Sequence, residues 1–250
     1  SRLKATLPND IKYITKSMAL FNGVPAICRL VKQIEDLNLN TPLIITGHES
    51  EKINYALKGF KINILYNKSY AKDSNILSVL LGLDSILNEE TPIDREGVLI
   101  IEADSIFANH HLKNFINYIK NELAEESKTN NNLMCWSSKG EAIDSDTGGF
   151  LLSPEPISKN HGIISKAYIT KSNTNKFARK MYGITWFSQQ ACKVLVEKAK
   201  LIINSDNDND LPYFHNAVMD FAEQYSMRFY QFKDSVYTYN DYNDYLQCLN

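Results

Sequence analysis

The chain has 250 residues, 44% of them apolar and 22% charged, with a formal net charge of −2. That composition suits a globular chain with a sizeable core. It excludes a nucleic-acid or anionic-membrane surface built on net positive charge, and no apolar run approaches the ~20 residues that cross a bilayer. No signal peptide and no internal repeat is visible. Cys28, Cys135, Cys192 and Cys248 lie far apart with no C-x-x-C spacing, as expected of reduced thiols in a cytoplasmic protein.

In chain order, residues 1–13 lack periodicity and read as loop. Asn22-Gly23-Val24-Pro25 is a turn, with Pro25 placed to open a helix. Val24, Ile27, Cys28, Val31 and Ile34 then recur at helical spacing to about Leu37. Residues 42–47 read as a buried strand ending in a glycine turn, 50–58 as a helix, and 61–67 as an alternating strand. Asp73 or Ser74 caps a helix over 75–87, so apolar from Ile76 to Leu83 that it should be buried. Val98 to Ile101 is an unbroken apolar run, the pattern of a strand covered on both faces. Glu102 and Asp104 follow, spaced to point to one side. A helix over 111–124 and a polar loop over 125–132 come next. From Leu133 the period shortens, with strands at 133–137, 147–152, 163–169 and 180–187, a helix at 189–203 and a solvated acidic connection at 204–210. A helix at 212–224, strands at 227–232 and 235–239, and a last helix at 241–249 close the chain.

Strand–helix alternation over the first 125 residues, then short strands, predicts an α/β fold. The expected architecture is a Rossmann-like three-layer, mostly parallel sheet with an antiparallel substrate-side subregion. No Pro/Gly/Ser-rich linker divides it, so one domain over 1–250 is expected. Ligands of such sheets sit at the carboxyl ends of the strands. Asp104, at the mouth of a central strand, suits a divalent metal carrying a phosphate; its competing use is to cap the following turn.

Several stretches, taken in order, resemble motifs of nucleotidyltransferases with a Rossmann-like core. Ser1-Arg2-Leu3 resembles the end of G-x-G-[ST]-R-[LMF], Lys16-Ser17 the lysine motif, and Phe21-Asn22-Gly23-Val24-Pro25 the x-x-G-x-P turn. Ile45-Thr46-Gly47-His48 resembles V-T-G-Y, and Tyr66-Asn67, Tyr70, Asn75 and Ser78 resemble N-x-x-Y-x-x-x-N-x-x-S. Glu102-Ala103-Asp104 resembles the metal strand, and Tyr182 to Ser188 resembles x-G-I-x-Y-F/W-S. The chain is most similar to the bacterial choline-phosphate cytidylyltransferases, from Ser1 to about Tyr245.

The resemblance implies an Mg²⁺-dependent attack by a phosphate or phosphonate oxygen on the α-phosphorus of CTP, or of another NTP, with release of pyrophosphate. It divides the domain into a nucleotide-binding half at 1–132 and an acceptor-binding half at 133–250. Carried over by position, Arg2 and Lys16 contact the phosphates, and Asp104 holds Mg²⁺ with Asn240. Asn75, Ser78, Thr46 and Gly47 border the nucleotide; Trp186, Tyr213 and His215 border the small phosphorylated acceptor. Without the resemblance, Arg2 and Lys16 read as surface charge, Asn75 as a helix-start residue and Trp186 as core packing. Self-association into a homodimer is left open.

Three departures stand out. The strand and glycines that should open the signature before Ser1 are absent from this sequence, and a form lacking them is expected to bind CTP poorly. The second metal Asp falls on Asn240, which can ligate a cation but neutralises none of its charge. Choline recognition calls for aromatics and a carboxylate, and Tyr213-Phe214-His215-Asn216 offers no acid. The acceptor is therefore open to other phosphates or phosphonates, including anionic ones with His161, His215 or Arg179 nearby.

The competing readings are three. A sugar-1-phosphate nucleotidyltransferase on the same core would prefer UTP or dTTP. A glycosyltransferase would carry D-x-D where Glu102-Ala103-Asp104 stands. A non-catalytic relative would bind a nucleotide or a partner protein. Ser- or Cys-nucleophile chemistry lacks its motif, and adjacent His110-His111 lack zinc spacing.

Overall fold

A computed structural model describes residues 15–72, 75–88, 97–141, 148–156, 158–170, 175, 177–205, 213–233, 237–238 and 245–246. Arg2, Asn240, Asp73, Ser74 and most of the expected last helix lie outside them.

A short 3₁₀ turn, Lys16–Met18, leads into strands β1 (Leu20–Phe21) and β2 (Val24–Pro25). Asn22 and Gly23 both take positive φ, 53° and 78°, the requirement of a type I′ hairpin turn. Pro25 then stands just before helix α1 (Ala26–Asp36), which buries Ile27, Leu30, Val31 and Ile34. Gln33 is buried on the same helix. Its Nε2 donates to Phe107 O at 3.0 Å and to Asn109 Oδ1 at 2.7 Å, tying α1 to the chain beyond the metal-strand candidate.

Strand β3 (Leu43–Thr46), helix α2 (Ser50–Ala56) and strand β4 (Asn63–Tyr66) form a parallel crossover unit, with Thr46 opposite Tyr66. Helix α3 (Ile76–Leu87) follows. Its apolar run is less enclosed than its composition suggests: Ile76 and Leu83 are buried, and the residues between are half-buried.

Strand β5 (Val98–Ile101) shows why its sequence is apolar without a break. Leu99 and Ile101 pack against one core cluster, built on α1 and on Leu112, Phe115 and Tyr118. Val98 and Ile100 belong to a second cluster, which holds Ile76, Leu195, Phe214 and Phe221. Side chains alternate along a strand, so each of the two opposed cores takes every second residue.

Strand β6 (Ser105–Ile106) and helix α4 (Asn109–Tyr118) come next; α4 runs through a π-helical stretch, Ile119–Leu123, into helix α5 (Ala124–Thr129). The polar loop expected at 125–132 is thus helical to Thr129. A tertiary contact holds it: Arg228 grips Glu126 with two nitrogens, Nε at 3.0 Å, while Lys128 pairs with Glu125 within the helix.

The remaining elements are β7 (Met134–Glu141), β8 (Gly148–Leu152), β9 (His161–Ile163), β10 (Lys166–Thr170), β11 (Arg179–Phe187), α6 (Gln189–Ser205), α7 (Phe214–Ala222), β12 (Met227–Gln231) and β13 (Tyr237–Thr238). The single strand expected at 163–169 is two, since β9 pairs with β12 and β10 with β8. A seven-stranded sheet runs β10-β8-β11-β7-β12-β9, with β5 joined to β11. Among the described residues the pairing is mixed. β7 and β12 are parallel, as are β3 and β4, while β11 is antiparallel to β5, β7 and β8. Helices cover both faces, as an α/β fold requires. No described helix is long and apolar enough to cross a membrane.

Candidate active site

The site is built where β5 ends. Its last pairing sets Ile101 opposite Ile184, and the backbone N–H of Glu102 still reaches Gly183 O at 2.7 Å. The chain then turns, with Ser105 N donating to Glu102 O at 3.0 Å, so that Asp104 stands on a tight bend at the strand mouth. Lys16, 88 residues earlier, reaches it from the 3₁₀ turn: Nζ lies 3.0 Å from Asp104 Oδ2. The two side chains are 26% and 23% exposed, accessible to a ligand yet partly shielded.

Glu102 stands beside this pair. Loss of water around it, then the Asp104 charge, push its carboxyl up to about 7, against the pull of Lys16. Gly183 makes room for it. A Cβ there would stand 2.8 Å from Glu102 Cβ and 3.0 Å from its Oε2, and closer still to Ser105 Oγ. β13 pairs with β6, placing Thr238 opposite Ser105, so the end of the chain returns to the strand mouth next to Asp104.

Among the described residues no three His, Cys, Asp or Glu groups could jointly hold a metal. The oxygens of Asp104, Glu102 and Ser105 nonetheless fit Mg²⁺, which usually takes one or two carboxylates and completes its shell with water and substrate phosphates.

A second group gathers at the carboxyl ends of β3 and β4. Thr46 is buried and donates from Oγ1 to Leu65 O at 3.3 Å, while its carbonyl accepts from Asn67 N at 2.8 Å. Asn67 Nδ2 donates to Ser78 Oγ at 3.0 Å, and its Oδ1 accepts from Ser69 N at 2.9 Å. Gly47 lies against Tyr70, where a Cβ would meet Tyr70 Cβ at 2.5 Å. Tyr70 itself sits between His48 and Tyr66, with centroids 6.1 and 6.2 Å away. Asn75, at the head of α3 with φ 135°, accepts Phe214 N on Oδ1 at 2.7 Å. It thereby joins the nucleotide-side residues to the start of α7.

The acceptor-side residues fare differently. Tyr213 is 57% exposed just before α7. His215 packs against Trp136, ring centroids 5.1 Å apart and tilted by 37°, and lies over Gly149, whose Cβ would be 3.3 Å from the ring. Burial pushes the His215 pKa down to about 4, so its ring is neutral at pH 7. Trp186, expected beside the acceptor, is instead a core residue, 4% exposed and crowded against Gly97. The alternation along β11 turns Trp186 with Tyr182 and Ile184 into the first core, away from the face of Gly183. Arg179 is fully buried, held by Gln231 Oε1 and Pro156 O above the Phe229 ring, and His161 sits beside Tyr118 and Glu122. Trp136, the partner of His215, carries no sequence motif; only its place opposite Phe229 in the sheet brings it here.

This arrangement of strands, helices and end-of-strand residues is the fold of the nucleotidyltransferases with a Rossmann-like core. It superposes on the CTP:phosphocholine cytidylyltransferase of Streptococcus pneumoniae with a TM-score of 0.71 at 17% identity, covering 99% of this chain and 93% of that one. Apo UDP-glucose pyrophosphorylase gives 0.71 at 14% identity, covering 98% and 93%. The inositol-1-phosphate CTP transferase of T. maritima gives 0.64 at 14% identity, covering 97% and 86%. In sequence, the chain is similar to the choline-phosphate cytidylyltransferase of Haemophilus influenzae, 26% identical over 151 residues. That match takes in 58% of this chain and 61% of the relative's length. No family model matches.

Proposed function

We propose that this chain is a Mg²⁺-dependent nucleotidyltransferase that moves CMP from CTP onto a small phosphate or phosphonate acceptor, phosphocholine-like or otherwise, and releases pyrophosphate. The observation that carries the reading is the 3.0 Å contact of Lys16 with Asp104 at the mouth of β5. The likeness in sequence to a choline-phosphate cytidylyltransferase supports it.

In this reading an acceptor oxygen bonds to the α-phosphorus, the bond from that phosphorus to the bridging oxygen breaks, and pyrophosphate leaves with the electron pair. Such a transfer is mostly positioning and charge neutralisation. Lys16 swings its ammonium from Asp104 onto triphosphate oxygens, and Asp104 becomes free to anchor the cation. Mg²⁺, when bound, would neutralise charge on the phosphates. Thr46, Gly47, Asn75 and Ser78 border the nucleotide. Tyr213 and the neutral His215 border the acceptor. Arg2 and Asn240 enter by sequence position alone, the first toward the phosphates and the second toward the cation. We place the reaction in the cytoplasm, in keeping with the unpaired, buried Cys28, Cys135 and Cys192.

The test is pyrophosphate release with each of the four NTPs, against phosphocholine and a panel of phosphonates. CTP should be preferred, with turnover only when an acceptor is present. No release with any NTP by the natural full-length protein would refute the enzyme reading. A second reading, sugar-1-phosphate nucleotidyl transfer, is favoured by the equal superposition on UDP-glucose pyrophosphorylase. A preference for UTP or dTTP with a sugar 1-phosphate would select it.

A further inference from the structure

Three oxygen donors lie at the mouth of β5, and two of them have no partner among the described residues. Asp104 Oδ2 is engaged by Lys16. The Glu102 carboxylate makes no hydrogen bond or ion pair among the described residues. Ser105 is 5% exposed, and its Oγ has no hydrogen-bond partner among the described residues. Both unpartnered groups lie over the bare α-carbon of Gly183, in room that a side chain there would fill. Lys16 pairs with Asp104 and its charge also acts on Glu102, so a single ammonium faces two half-buried carboxylates. Two partly desolvated carboxylates sharing one cation are unfavourable. Carboxylate and hydroxyl oxygens are the donors a hard divalent cation selects.

We propose that Glu102 is a second carboxylate of the cation site, sharing with Asp104 the divalent ion that enters with the nucleotide, with the Ser105 hydroxyl behind it. The proposal rests on the nucleotidyltransferase reading and departs from the positional transfer of motifs, which puts the second cation ligand on the neutral Asn240. Two carboxylates on one bend match the charge of the ion, and Lys16 is then released to the phosphates.

The test measures CTP affinity calorimetrically in Mn²⁺ and in EDTA, for wild type, Glu102→Gln and Glu102→Asp, with near-UV circular dichroism to verify folding. In wild type, Mn²⁺ should tighten CTP binding. In Glu102→Gln that gain should shrink at least about 10-fold, the scale of losing a group from a metal's shell. Affinity in EDTA should be unchanged or tighter, because a negative charge beside the triphosphate is gone. Glu102→Asp, which keeps the charge, should retain more of the gain and serves alone if the Gln variant does not fold. Three results would overturn the proposal: a wild-type Mn²⁺ gain in Glu102→Gln, equal losses in Mn²⁺ and EDTA, or Glu102→Asp doing no better than Gln. A natural full-length protein that binds CTP in neither buffer overturns the nucleotidyltransferase reading, and this proposal with it.

Discussion

Replacing Lys16 with Met separates a structural ion pair from a functional one. The side chain keeps most of its length and loses its charge. Both partners are about a quarter exposed, so water screens the 3.0 Å pair. Pairs of that kind are worth about 0–1 kcal/mol. In a chain of this size each kcal/mol shifts the melting temperature by about 2–4 °C, so the variant should melt no more than about 4 °C below wild type. Its function should suffer far more. A cation aimed at charge on the transferring phosphate acts in a pre-organised site, and removing one such group costs about 10²–10³ in rate. Scanning fluorimetry and CTP-dependent pyrophosphate release on the same sample read the two effects. Wild-type turnover in Lys16→Met would refute the reasoning, leaving Lys16 a surface charge that happens to touch an acid. A loss of activity matched by gross unfolding would also refute it, because the pair would then be holding the fold.

Further outcomes follow from the same contacts. Gly183→Ala forces a Cβ against Glu102 and Ser105, an overpacking that should cost about 1–3 kcal/mol by denaturant unfolding; an unchanged midpoint would show that the bend yields freely. Asn67→Ala strips a buried side chain of its bonds to Ser78 and Ser69 and should cost about 1–3 kcal/mol, with a raised KM for CTP if this loop borders the nucleotide. His215 has its pKa lowered from 6.5 to about 4, so the unfolded chain takes up its proton first as pH falls. Its contribution to stability is present above pH 6.5 and is lost as pH drops toward 4, by at most about 1.4 kcal/mol per pH unit. His215→Gln should flatten that part of the stability profile, and an identical profile would contradict the assignment. Phe115→Ala empties a fully buried site and should cost about 3–5 kcal/mol.

What could be read from sequence divides along physical lines. The run Val98–Ile101 announced itself because two cores claim alternate residues, leaving no polar position. The Asn22-Gly23 turn was equally plain, since few residue pairs tolerate two positive φ values. The meeting of Lys16 with Asp104 could be expected only from the order of motifs, because no local rule links residues 88 apart. The burial of Trp186 in the core could not be read, because its motif fixes a strand but not which face each residue takes. The helix to Thr129 escaped notice because Arg228, about a hundred positions on, helps to hold it. The place of Trp136 beside His215 depends on strand pairing, which composition does not encode.

The position of β11 limits how the molecule can move. It is bonded to β7 along one flank and to β8 and then β5 along the other, so backbone ladders stitch the first and second halves of the chain together. Swinging those halves apart about a hinge would break a continuous run of these bonds. Any enclosure of a substrate must therefore come from segments outside this ladder, over a rigid floor.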